Sequence, residues 1–172
     1  KDELGLSDTT VYLNVSAHTI MHQEFCKIFS KFVEENNIKE NEFGLEITET
    51  AELEDTQKAG ESLERLKKRG IKIALDDFGA GYASLKYIRD LPIDVVKLDR
   101  HFTSNISDPS TSRLIKFVSD VCAELNLEMI GEGIETEQEK NMMIDLGCET
   151  GQGFLMHMPS FIEDIMKEKN DG

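Results

Sequence analysis

Short apolar runs, nearly every one closing on a polar residue, recur along the chain with amphipathic stretches of helical length between them. No other feature limits the fold as much. The six runs are Val11 to Ser16, Phe43 to Glu49, Ile71 to Asp77, Val95 to Asp99, Glu128 to Glu132 and Gly153 to Leu155. Between them, Phe25, Ile28, Phe29, Phe32 and Val33 recur at the three-to-four spacing of a helix with one buried face. Leu63 with Leu66, and Leu114, Phe117, Val118, Val121 and Leu125, do the same. Gly70 after Lys67-Lys68-Arg69, and Gly147 after Leu146, read as helix stops. Strands this continuously apolar, alternating with helices, predict a parallel sheet covered by helices.

Where the polar residues fall separates a barrel from an open sheet. Barrel strands converge their C-terminal ends on one mouth, so each can contribute a polar residue there. An open sheet gathers its chemistry at one switch point behind a glycine-rich turn, and neither GxGxxG nor GxxxxGK[ST] occurs. The expected class is therefore α/β, of the (β/α)8 TIM-barrel type. A whole barrel takes roughly 250 residues and this chain has 172. About six of the eight units are expected, with about two missing on the N-terminal side. Residues 1–166 are read as this partial domain and 167–172 as a polar tail that frays.

The strand ends supply Asn14, Glu46, Asp76, Asp77, Lys97, Asp99, Glu132, Glu135 and Gln152. Side chains two apart share a strand face, so Lys97 and Asp99 point the same way. Asn14, Glu46 and Asp76 stand where three strands could each offer one oxygen, a donor set that selects Mg²⁺ or Mn²⁺ over zinc. The adjacent Asp76 and Asp77 allow one metal to be shared and a second added, the usual device for attack on a phosphodiester. The net charge of −15 argues against DNA or RNA as partner, since no Lys/Arg stripe offsets it. A phosphate-bearing substrate would then need cations held by these carboxylates. No run approaches the roughly 20 apolar residues of a membrane helix. Cys26, Cys122 and Cys148, an odd count without CxxC spacing, read as free thiols of a cytoplasmic protein.

The same residues carry a resemblance. Leu13-Asn14-Val15-Ser16, Leu45-Glu46-Ile47-Thr48-Glu49-Thr50, the stretch Leu75-Asp76-Asp77-Phe78-Gly79-Ala80-Gly81-Tyr82-Ala83-Ser84-Leu85, Val96-Lys97-Leu98-Asp99, Gly131-Glu132-Gly133-Ile134-Glu135-Thr136 and Gly151-Gln152-Gly153-Phe154 resemble the ordered motifs of EAL domains. That resemblance implies hydrolysis of cyclic di-GMP to linear pGpG with two Mg²⁺ or Mn²⁺ ions. It also implies a homodimer, and a sensory or GGDEF domain upstream. By residue, it implies a first metal on Asn14, Glu46 and Asp76 and a second on Asp76 and Asp77. Lys97 would contact the attacking water and the metal-site carboxylates, and Glu132 would position or deprotonate that water. Glu135, Gln152 and Asp99 would shape the site, and Glu49 would brace a loop of Phe78, Gly79, Gly81 and Tyr82.

The chain departs from the family pattern in one respect that matters. No Glu-Ala-Leu followed by the family's arginine occurs, so one metal ligand and one phosphate contact are absent from this stretch. Ala80 and Ala83 replace a common Thr and Ser. The 172-residue chain alone is therefore expected to be inactive, with activity in the intact domain. The competing readings are a catalytically silent cyclic-di-GMP receptor or interaction domain, and another TIM-barrel hydrolase. His18 and His22, four apart, have metal-ligand spacing but no third ligand nearby. They read as surface residues, His101 as a loop residue, and His157 with Met142, Met143, Met156 and Met158 as packing.

Overall fold

The computed structural model describes residues 9–48, 55–80, 84–161 and 163–165. The elements are β1 (Val11–Asn14), α1 (Ala17–Met21), α2 (Gln23–Glu35), β2 (Phe43–Thr48), α3 (Thr56–Lys67), β3 (Lys72–Phe78), α4 (Ser84–Asp90), β4 (Val95–Leu98), α5 (Arg100–Ser104), α6 (Pro109–Glu124), β5 (Glu128–Gly131), α7 (Glu137–Asp145) and β6 (Thr150–Gly151). Every strand pairs in parallel with the next in sequence, giving the order β1-β2-β3-β4-β5-β6. Sequential order with no strand skipped is what repeated right-handed β/α units build. It leaves no switch point, and the six strands form a half-barrel of the expected class.

Strand alternation sorts the side chains into two faces. Leu45, Ile47, Ile73, Leu75, Val96 and Leu98 share one core with Leu63 and Leu66 of α3 and Ile115 and Val118 of α6. Each such buried side chain contributes about 1.5–3 kcal/mol, so this sheet–helix layer holds the elements in place. The alternate positions face the barrel axis and are polar toward the top. At the bottom, Tyr12 lies across Gly44, where a side chain would meet its ring at 2.2 Å. Burial, with help from Glu128 and Glu46, pushes the Tyr12 phenol up to about 12.

Helix ends follow the sequence closely. Gly70 and Gly147 take φ of 78° and 92°, the left-handed turn that stops a helix. Asp55, Asp99, Asp108 and Thr136 cap the starts of α3, α5, α6 and α7. None of the described helices is long and apolar enough to cross a membrane.

Four sequence expectations are corrected. The last strand is Thr150–Gly151, and Gly153 to Leu155 form a turn. Gly153 sits so close to Ile134 that a Cβ would fall 2.1 Å from its carbonyl oxygen, and Leu155 N–H donates to that same oxygen. The inward stripe of α6 is Ile115, Val118, Ser119 and Cys122, while Leu114, Phe117 and Leu125 are exposed. Gly147 of the α7 turn packs against that stripe, where a Cβ added to it would fall 2.5 Å from the Ser119 hydroxyl oxygen. On α2 the buried residues are Cys26, Phe29 and Val33, with Ile28 and Phe32 outside, and Met156 and Met158 are exposed rather than packed.

Candidate active site

Adjacent strand residues normally point to opposite faces, so Asp76 and Asp77 could not both reach the mouth from a regular strand. The pairing of β3 with β4 solves this. Leu75 stands opposite Val96 and Phe78 opposite Leu98, so β3 carries one extra residue, a β-bulge. Asp77 sits in it at φ 54°, a conformation that aspartate tolerates better than most residues. Asp76, Asp77 and Glu132 then each bring one carboxylate oxygen within 4.8 Å of the others.

Lys97, 5% exposed, rises from β4 into this cluster. Its ammonium lies 2.7 Å from Glu132, 2.8 Å from Asp76 and 3.1 Å from Glu46. Three strands, β2 to β4, and the residue that follows β5 thus contribute one charged side chain or more to a single centre. Asn14 stands on β1 in register with Glu46, on the axial face. With all groups ionised, four carboxylates against one ammonium leave a strong excess of negative charge. Each carboxylate that Lys97 contacts keeps a second oxygen. An all-oxygen, half-buried set of this kind fits Mg²⁺ or Mn²⁺.

Among the described residues, two cavities open beside the centre. One, of about 330 Å³, is lined by Asp77, Asp99, Arg100, Glu132, Gly133, Glu135, Gln152, Gly153 and Phe154. The other, of about 530 Å³, shares Asp99, Arg100, Gly133 and Glu135 and adds His101, Ser104 and Glu139.

The sequence matches the EAL domain family across residues 2–159. The chain belongs to the EAL family. Cyclic di-GMP phosphodiesterase PA2567 of Pseudomonas aeruginosa is 32% identical over 154 residues, covering 89% of this chain and 26% of that protein. The crystal structure of the EAL domain of Mycobacterium smegmatis DcpA superposes with a TM-score of 0.88 at 28% identity, over 95% of this chain and 74% of that one. The MucR phosphodiesterase of Pseudomonas aeruginosa, solved as a c-di-GMP complex, gives 0.86 at 30% identity, over 95% and 73%. The chain spans about a quarter of the length of curated relatives such as MucR and PA2567, 24% and 26%.

Electrostatics follow from the burial of this EAL site. Burial pushes the Lys97 pKa down, but the hydrogen bonds its ammonium donates to Asp76 and Glu132 outweigh that and hold the proton more tightly than in free lysine. Burial pushes the Glu132 carboxyl up, with Lys97 opposing and the Asp76 and Asp77 charges adding.

The residues read from the EAL motifs sort into three groups. Glu46, Asp76, Asp77, Lys97 and Glu132 converge, with Asn14 beside them on the strand register. Asp99, Glu135 and Gln152 line the mouth cavities, and Asp99 also caps α5 by accepting from His101 N–H at 2.9 Å. Phe78 is corrected from loop to core: it ends β3 and is buried, because the bulge turns it back into the helix-facing layer. Gly79 makes the turn at φ 95°, beneath the Phe102 ring. Glu49, Gly81 and Tyr82 lie outside the described residues. His101 sits on α5 at the second cavity, not in a loop. Arg100 and Phe154 were not singled out by sequence reasoning. The only signal was their position, one and two residues past a strand-end polar residue.

Proposed function

We propose that this EAL domain, in the intact protein, hydrolyses cyclic di-GMP to linear pGpG with two Mg²⁺ or Mn²⁺ ions. The observation that carries the reading is the convergence of Glu46, Asp76, Asp77 and Glu132 around Lys97 at the mouth of the half-barrel. Relatives named as cyclic di-GMP phosphodiesterases supply the substrate class. Asn14, Glu46, Asp76 and Asp77 are the residues assigned to hold the cations. When bound, those ions supply neutralising charge for the phosphodiester and make water a better nucleophile.

The chain's own groups do the rest. Glu132, its carboxyl raised by burial, is a stronger base than a free glutamate once ionised and accepts the proton of the attacking water. Lys97 keeps its charge and fixes Glu46, Asp76 and Glu132 against their mutual repulsion, so the ligand oxygens are in place before substrate arrives. Asp77, turned inward by the bulge, adds the carboxylate that a second cation needs. A silent binding module would be free to lose these carboxylates, and this chain keeps each one that its motifs cover.

The test is chromatographic conversion of cyclic di-GMP to pGpG by the full-length gene product. Turnover is expected with Mg²⁺ or Mn²⁺, lost on exhaustive chelation and restored by either ion. Calcium should support it poorly, because it prefers more ligands and looser geometry. Undiminished turnover after chelation would overturn the assignment.

A further inference from the structure

We propose that Arg100 anchors the second phosphate of a cyclic dinucleotide, the one not being cleaved, from a ridge between two lobes of the mouth. The inference rests on the phosphodiesterase reading above and adds how the site tells a dinucleotide from a smaller phosphodiester. The two cavities, of about 330 and 530 Å³, meet along Asp99, Arg100, Gly133 and Glu135. Only the first touches Asp77 and Glu132. A phosphodiester with a single phosphate is served by that lobe. The second lobe, large enough for a small-molecule group in its own right, has no contact with the reacting carboxylates. It is room for the other half of a larger substrate.

Among the described residues, the cation needed there can come only from Arg100. A cyclic dinucleotide carries two phosphates, and Lys97 is committed to three carboxylates below the surface. Among the described residues, Arg100 is the one Lys or Arg that lines either lobe. Although carboxylates surround it, no ion pair to its guanidinium exists among the described residues. Two of those carboxylates are held by backbone groups. Asp99 caps α5, and Glu139 accepts from the N–H groups of Glu135 and Thr136, each at 2.9 Å. The guanidinium fork, matched to phosphate oxygens, is therefore left for a ligand. Its stem is fixed from below: Gly133 at φ 65° packs so closely that a Cβ would lie 2.5 Å from the Arg100 Cβ. The base of the side chain cannot shift far, while its head stays free.

The experiment compares Arg100→Ala, Arg100→Gln and Arg100→Lys with wild type in the full-length gene product. It uses two substrates, cyclic di-GMP and bis(p-nitrophenyl) phosphate, which has one phosphate only. The KM for cyclic di-GMP should rise about tenfold or more in the Ala and Gln variants, with kcat changed far less, as expected for a lost charge-assisted contact. Lys should recover part of the loss. The ratio of kcat/KM between the two substrates should shift by the same factor. An equal fall on both substrates would place Arg100 at the reacting centre or in the fold, and no fall on either would remove it from the substrate; both results overturn the proposal. Hydrolysis of neither substrate by wild type would overturn the phosphodiesterase reading beneath it. Matched melting temperatures for the Gln variant exclude misfolding as the cause.

Discussion

Lys97 holds its charge in a buried position against three carboxylates, and those carboxylates depend on it in return. Removing the ammonium leaves Glu46, Asp76 and Glu132 crowded and uncompensated, the situation in which breaking a buried ion pair costs about 3–5 kcal/mol. Lys97→Met should therefore lower the urea midpoint by that order as well as abolish turnover. Adding Glu132→Gln should restore part of the stability and none of the activity. An unchanged midpoint would mean the cluster is solvated. Position at a strand end thus marks Lys97 as a site residue, but its burial makes it a core residue too, which the sequence did not disclose. Asp76→Asn keeps the shape and a hydrogen-bonding oxygen, so the expected outcome is loss of turnover with a near-normal melt. Away from the site, burial pushes the Cys122 thiol up to about 11. At pH 8 it stays protonated, so iodoacetamide should label it slowly in the native protein and fast in urea, a contrast that mass spectrometry resolves. The same shift makes its contribution to stability complete below the ordinary thiol pKa, near 9. That contribution is lost as pH rises through about 11.

At the scale of the element, β3 does most to build the site, through an irregularity rather than a regular strand. Its extra residue turns Asp77 to the mouth, and Gly79 then lets the chain leave under Phe102. Gly79→Ala combines a left-handed φ with a Cβ placed 2.2 Å from the Phe102 ring. It should cost about 1–3 kcal/mol by urea denaturation, and Gly79→Ala with Phe102→Leu should recover some of it. A neutral Gly79→Ala would show that the loop relaxes freely. The sequence made β1 to β5 legible because period-two and apolar runs survive in them, and Gly70 and Gly147 marked their helix ends. It could not show the bulge, since Asp-Asp at a strand end looks the same with or without one. It misplaced the last strand because Gly153-Phe154-Leu155 is apolar for a different reason: the close packing of a turn on Ile134. On α6 it placed Val118 in the buried stripe but took Leu114, Phe117 and Leu125 in place of Ile115 and Cys122, for periodicity gives the angle of a stripe and not which stripe meets the sheet.

For the whole molecule, the decisive property is that a parallel sheet in sequential order has two edges unless it closes. Among the described residues no strand pairs with the outer side of β1 or of β6. Val11 and Leu13 stand on the helix-facing side, in register with Phe43 and Leu45. Leu45 is fully buried and Leu13 is 39% exposed, so the covering layer stops one strand short. Beyond β6, Phe154, Met156, Met158 and Phe161 are exposed as well. Each edge thus joins unpaired backbone groups to apolar side chains, the combination that templates pairing with another chain. Solved EAL domains extend beyond the matched region, which is 74% of the DcpA domain. The 172-residue polypeptide on its own should therefore self-associate, and light scattering after size exclusion should show its mass rising with concentration. Charge on an edge strand suppresses such pairing. Val11→Lys with Leu13→Lys should accordingly shift the population toward monomer while leaving far-ultraviolet circular dichroism unchanged. The net charge of −15 opposes association, and salt screens that repulsion, so association should strengthen from low to moderate ionic strength if the edges drive it. A wild-type polypeptide that stays monomeric at every salt concentration would mean that these edges are covered within the chain.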